Sequence, residues 1–319
     1  MELTYGDVKA ASDRITGHVR PVALAPGDAV PTIGSDPYEL WLALEFMQHT
    51  GSFKARGAQN FIQAHRDAGT LPDAGVTIAS GGNAGLACAW AARGQGVRAT
   101  VFLPTTAPAV KVERLRSYGA QVRLVGTEYA DALAACHEYG DTSGALLSHA
   151  YDNPYIAAGA GTLMMEIHRQ LPRLDTVVVA VGGGGLFAGI ATAADHYGVR
   201  TIAVEPENCR ALHAAIEAGQ IVDAPVDSVA ADSLGARRAT ELALHAAQNY
   251  DVTSILVPDQ DIIVARRNLW HDRRLAVEHA AATALAALTA TDSGYRPESG
   301  ERICVVLCGA NTDPADLVQ

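Results

Sequence analysis

Residues 177–194 read VVVAVGGGGLFAGIATAA, an uncharged run with four consecutive glycines inside it. A run of that length and polarity is long enough to cross a bilayer, but each glycine inside a spanning helix costs about 1 kcal/mol relative to alanine. The stretch instead reads as a buried strand, a glycine turn and a buried helix. A strand apolar at every position is covered on both faces, which is the signature of a parallel sheet with crossover helices. The alternation recurs along the chain. Val76–Ser80 (VTIAS), a helix near Ala84–Arg93 and Val97–Leu103 make one unit; Val177–Val181, a helix near Phe187–Tyr197 and Val199–Glu205 make another. Ser254–Val257 and Ile303–Cys308 are further strands, with one long alanine-rich helix expected between them from about Ile262 to Thr289. The fold class is therefore α/β, and the loops at the strand ends should share a ligand crevice.

At 319 residues, 49% hydrophobic and 18% charged, the composition is that of a globular protein large enough for two units. Joints at Leu71–Gly75 and Tyr151–Pro154 suggest a smaller unit over 73–152, with 1–72 and 153–319 forming the larger one. A net charge of −11 offers no basic field for nucleic acid or an anionic membrane surface. The five cysteines are odd in number and lack CxxC spacing, so neither a disulfide framework nor a zinc site is expected; a reducing cytoplasm suits them. The amino-terminal MELTYGDVKAASDRI carries charge throughout and has no apolar export segment.

Four short stretches carry the chemistry. Gly51–Ala58 (GSFKARGA) sets Lys54 among small residues; either Ser52 caps a helix beside a solvated lysine, or the amine is withdrawn from water and serves as nucleophile and base. Ser80–Gly85 (SGGNAG) ends a strand and opens a helix. Its small residues let backbone N–H groups approach an anion and Asn83 offers a side-chain amide, although Ser80 and Asn83 could equally be helix caps. Val181–Leu186 (VGGGGL) is a second such turn and the stronger anion cradle. Val306–Thr312 (VLCGANT) delivers Cys308 to a small-residue turn, where a thiol is either a core filler or a ligand partner. A dinucleotide-dependent dehydrogenase competes for part of this pattern, since Gly183, Gly185 and Ala188 have the fingerprint spacing and Glu205 ends the next strand. That reading leaves GSFKARGA and SGGNAG without a role.

One ligand unites all four stretches: pyridoxal phosphate needs a lysine for its aldehyde, an amide cradle for its phosphate, a donor for its hydroxyl and a partner for its ring nitrogen. With EFMQHTGSFKARGA (45–58), SGGNAG, GGGGL and CGAN in that order, the chain resembles the fold-type II pyridoxal-phosphate enzymes, specifically the serine/threonine dehydratases, over nearly its whole length. The resemblance implies two open, twisted, mostly parallel α/β units with the active site between them. It implies that Lys54 forms the internal aldimine and is the catalytic base, that Phe53 packs on the ring, that Asn83 meets the ring hydroxyl, that Gly182, Gly183, Gly184, Gly185 and Leu186 bind the phosphate, and that Cys308 meets the ring nitrogen. Ser80, Gly81, Gly82, Asn83 and Ala84 would hold the substrate carboxylate, with Asn153 in YDNP a further substrate contact. Some members hold a cation beside the second turn, for which Glu205 and the Cys209 carbonyl are the candidates here; Arg210 and Ala211 stand where divalent ions would need ligands, leaving a monovalent ion.

The activity implied is β-elimination from a 3-hydroxy amino acid such as L-serine or L-threonine, giving a 2-oxo acid and ammonia, in a homodimer. An amino-acid racemase or a β-replacing synthase of the same fold is the alternative, and a pyridoxal-phosphate-binding protein without turnover a further one. Gly81, which has no side chain to act as a second acid, argues against racemisation. The chain ends soon after Asn311, so a carboxy-terminal regulatory domain is not expected.

Overall fold

The computed structural model describes residues 2–27, 38–289 and 294–317. In chain order the strands are β1 Leu24–Pro26, β2 Glu39–Ala43, β3 Val76–Ala79, β4 Ala99–Leu103, β5 Gln121–Leu124, β6 Leu146–Leu147, β7 Thr176–Ala180, β8 Arg200–Pro206, β9 Val252–Val257 and β10 Arg302–Val306. They form a six-stranded sheet of order β1-β2-β10-β7-β8-β9 and a four-stranded sheet of order β5-β4-β3-β6. All pairings are parallel except β1 with β2. The chain's last strand thus lies in the middle of the larger sheet, pairing Ile303 with Leu40 on one side and with Thr176 on the other. Every residue of β7 is buried, as its unbroken apolar run requires.

Helices cover both sheets because the strands are apolar on both faces. Phe61 and Ile62, from the helix Lys54–Asp67, pack with Ile78, Val101 and Leu115 around the smaller sheet. Phe187 and Ile190, from the helix Gly185–His196, join Leu163 and Met164, from the helix Pro154–Gln170, on the larger one. These last two helices cross closely through glycines: a Cβ on Gly189 would lie 2.2 Å from the Ala157 carbonyl oxygen.

The single long helix expected over 262–289 is two helices, Asp259–Arg273 and His279–Thr289. Arg274, in the left-handed region at φ 58°, ends the first, and residues 275–278 run without helix before the second begins. Among the described residues no helix is long and apolar enough to cross a membrane, which removes the bilayer reading of residues 177–194.

Candidate active site

The lysine stretch and the cysteine turn are fastened to each other. Ser52 and Gly309 form an antiparallel bridge, Phe53 N–H donates to the Cys308 carbonyl at 3.0 Å, and Ala310 N–H donates to the Gly51 carbonyl at 3.0 Å. Gly51 has φ 79° and a Cβ there would meet Asn311 Oδ1 at 2.7 Å, so the tight pairing requires glycine. Ser52 is not the helix cap considered from the sequence: it is fully buried and Phe53 occupies the cap position without a capping side chain.

Lys54 opens the helix with its Nζ donating to the Ala150 carbonyl at 2.7 Å, 4.7 Å from the Phe53 ring centroid and 5.9 Å from that of Tyr151. Burial disfavours the ammonium form and lowers the pKa to about 8, with Cys308 and Glu278 pulling weakly the other way. The amine is therefore the withdrawn one of the two sequence readings. Two residues along, Arg56 is fully buried and forks onto two carboxylates, 2.7 Å from Glu45 and 2.7 Å from Glu166. This pairing holds the first turn of the lysine helix from its far side.

The second turn leaves β7 and enters the helix Gly185–His196. Gly184 takes φ 97°, and a Cβ there would meet the Ala243 methyl at 2.4 Å. A Cβ on Gly183 would lie 2.2 Å from the Tyr151 ring, and one on Gly182 would lie 3.1 Å from Leu234 Cα. Side chains are excluded on every side, so this surface is backbone. Among the described residues the N–H groups of Gly182–Leu186 donate to no oxygen, which leaves a cluster of donors at a helix amino terminus.

At the asparagine turn, Ser80 Oγ accepts from Gly82 N–H at 3.3 Å, and the N–H groups of Asn83 and Ala84 donate to no oxygen among the described residues. Asn83 does not cap its helix. Its Nδ2 donates to both oxygens of Glu278, at 2.9 and 3.0 Å, and its Oδ1 accepts from Asn311 Nδ2 at 2.6 Å. Cys308 is buried, and burial pushes its thiol up to about 12, so it stays a neutral donor.

Phe53, Lys54, Tyr151, Ile156, Gly185 and Leu186 border a small cavity of ≈ 10 Å³. Asn153 is elsewhere engaged: its Oδ1 accepts from Tyr155 N–H at 2.9 Å and Ile156 N–H at 3.3 Å, capping the helix Pro154–Gln170. The side chain of that loop which faces the glycine turn is Tyr151. Glu205 is fully buried, and its two oxygens accept from Leu212 N–H and His213 N–H, both at 2.8 Å, at the start of the helix Ala211–Ala218. It anchors that helix, so neither the cation nor the ribose reading of Glu205 is carried further. Cys209 sits in the turn before it, with its N–H on the Pro206 carbonyl at 3.0 Å. Among the described residues no group of three or more His, Cys, Asp or Glu is placed to hold a metal ion.

Sequence reasoning missed Glu278, Tyr151 and the role of Asn311. The signal for Glu278 was present: it is the one acid in LAVEHAAATALAAL (275–288), where a charge inside an apolar run needs a reason.

The model of the family described as "Pyridoxal-phosphate dependent enzyme" matches residues 15–309. The chain belongs to that family. Its cofactor is pyridoxal phosphate, and the dehydrogenase reading falls. An L-threonine ammonia-lyase of Geobacter sulfurreducens is 35% identical over 98% of this chain and 76% of its own. Among solved structures, maize serine racemase superposes with a TM-score of 0.90 at 29% identity, covering 100% of this chain and 97% of its own. The processed form of threonine deaminase isoform 2 from Solanum lycopersicum gives 0.86 at 26%, covering 98% and 85%. The fold is thus the fold-type II architecture, shared by this serine racemase and this threonine deaminase.

The residues present fit the cofactor. The glycine turn is bare of side chains and rich in unused N–H donors, Lys54 offers an amine that deprotonates near pH 8, and Cys308 is a neutral buried thiol.

Proposed function

We propose that this chain is a pyridoxal-phosphate-dependent ammonia-lyase that eliminates the β-hydroxyl of a small 3-hydroxy amino acid, L-serine or L-threonine, releasing a 2-oxo acid and ammonia. The observation that carries the reading is a buried amine of lowered pKa beside a buried neutral thiol, Lys54 and Cys308, joined by the Ser52–Gly309 bridge. The relative named L-threonine ammonia-lyase supports the reaction type.

When bound, the cofactor supplies an electron sink for the substrate Cα. Lys54 Nζ would hold the cofactor, and the same amine would serve as base for the substrate Cα proton; its lowered pKa leaves a usable fraction of free base near neutrality. The N–H groups of Gly182–Leu186 would hold the phosphate at the positive end of their helix. Asn83 Nδ2 has a second proton that it would offer the ring hydroxyl, and the turn from Ser80 to Ala84 would hold the substrate carboxylate. Cys308 Sγ would donate to the ring nitrogen without forcing a full positive charge onto it, which suits elimination over reactions that need a long-lived carbanion. Phe53, Tyr151, Ile156 and Leu186 exclude water around the amine.

Racemisation needs a second acid opposite Lys54, and Gly81 provides none. The reading also includes a homodimer in the cytoplasm, with 1–72 and 153–319 as the cofactor-binding unit and 73–152 as the smaller one. The two sheets are consistent with that division, since β3 to β6 lie between residues 76 and 147.

A panel of 3-hydroxy amino acids tests the function, scored for 2-oxo acid release by the purified holoenzyme. Release of pyruvate from L-serine or 2-oxobutyrate from L-threonine is expected. No 2-oxo acid from any member, with cofactor fixed to Lys54 by borohydride, would leave a binding protein without turnover. Sedimentation of the holoenzyme at twice the chain mass is the outcome expected of the homodimer.

A further inference from the structure

We propose that Glu278 is a positioning residue that makes Asn83 a hydrogen-bond donor toward the cofactor. The inference rests on the proposed facing of Asn83 toward the ring hydroxyl. An asparagine amide is nearly symmetric in shape, so its neighbours decide which half faces a ligand. Here they decide it twice. An ionised carboxylate only accepts, and both Glu278 oxygens receive Asn83 Nδ2, at 2.9 and 3.0 Å. On the other side Asn311 Nδ2 donates to Asn83 Oδ1 at 2.6 Å. Turning the amide over would set oxygen against carboxylate and nitrogen against nitrogen. Glu278 takes one Nδ2 proton, which leaves the second for an acceptor in the crevice.

Glu278 is itself held in place. Asn311 N–H donates to its Oε1 at 2.8 Å, and its own N–H donates to the Gly309 carbonyl at 3.0 Å. Asn311 Nδ2 is tied in turn to the Thr50 carbonyl at 2.7 Å. The acid arises at the break between the helices Asp259–Arg273 and His279–Thr289, and a Cβ on Gly309 would meet its Oε2 at 2.8 Å. A buried carboxylate so placed costs desolvation that a glutamine of the same shape would not, and only the carboxylate accepts on both arms. Burial raises its pKa, while the Asn83 and Asn311 hydrogen bonds favour the ionised form.

The test is a double-mutant cycle on the holoenzyme with Glu278→Gln, Asn83→Ala and the pair. It is read by the dissociation constant for pyridoxal phosphate and by the ratio of the cofactor's two near-ultraviolet and visible bands, which reports the proton at the ring hydroxyl. Glu278→Gln should weaken cofactor binding about tenfold or more and change the band ratio, since a hydrogen bond to a charged group is exchanged for a misdirected amide. With Asn83 already removed, Glu278→Gln should add less than about twofold, because its effect acts through that amide. Wild-type affinity and spectrum in Glu278→Gln, beside an impaired Asn83→Ala, would overturn the proposal, as would losses that multiply in the pair. Wild-type behaviour in Asn83→Ala would instead remove the facing of Asn83 on which the proposal stands, and the proposal with it. If Glu278→Gln does not fold, Glu278→Asp replaces it in the same cycle, with coupling to Asn83→Ala still the deciding quantity.

Discussion

Two strand-to-helix turns meet at this site and are built on opposite principles. The turn at 182–186 presents backbone alone, and the space for side chains is closed off by Tyr151, Leu234 and Ala243. The turn at 80–85 presents a side chain, Asn83, whose orientation is set by two residues from the far end of the chain, Glu278 and Asn311. The first is specified by sterics that any four glycines announce. The second is specified by partners 195 and 228 residues away, which no local pattern reveals.

Substitutions that insert one methyl group should separate the two turns most sharply. Gly184→Ala must carry a side chain at φ 97° into the Ala243 methyl at 2.4 Å. Strain and overpacking together should destabilise the protein by about 2–4 kcal/mol in urea unfolding and abolish measurable cofactor binding. Next in size is the pH dependence of Lys54, which stands between the turns. The protonated amine has no lone pair, so below the lowered pKa of about 8 the rate at which apoprotein captures pyridoxal phosphate should fall about tenfold per pH unit. A rate independent of pH over that range in stopped-flow measurements would mean that the amine is not the rate-setting group.

A smaller effect is expected from Gly81→Ser, whose Cβ would lie 2.8 Å from Leu103 Cδ2. The leucine end must yield, at about 1 kcal/mol. A trace of D-serine beside pyruvate should appear from L-serine in deuterated water; racemisation as fast as elimination in the wild type would undo the assignment of Gly81. The smallest effect belongs to Gly82→Ala, which meets nothing within 4 Å. Its stability should stay within about 0.5 kcal/mol of wild type, the opposite of Gly184→Ala for the same added atom.

What could be read from the sequence follows the same division. The α/β class, the two turns, the lysine stretch and the cysteine turn were legible because each is a local run of small or apolar residues. The break at Arg274 was not, because LAVEHAAATALAAL continues a helical composition across it, and so Glu278 was read as one more helix position. Asn153 and Tyr151 show what a local pattern leaves open. Both lie before a proline where a turn is expected, but only packing decides which side chain caps the helix and which faces the glycines. Glu205 was seen as an acid at a strand end, and what it holds is the helix that follows.

The place of β10 sets the order in which this enzyme can come into being. The first strands of the larger sheet are made early, yet β2 and β7 are joined only by β10, the last of the described strands to be made. Cys308, Asn311 and, shortly before them, Glu278 arrive with it. Until β10 emerges, a nascent chain therefore carries Lys54 and both glycine turns without the sheet that brings them together. Long-range closure of this kind is slow and exposes unpaired strand edges meanwhile. The catalytic amine should stay incompetent until β10 has been made, and ribosome-bound chains truncated before residue 302 should fail to retain the cofactor.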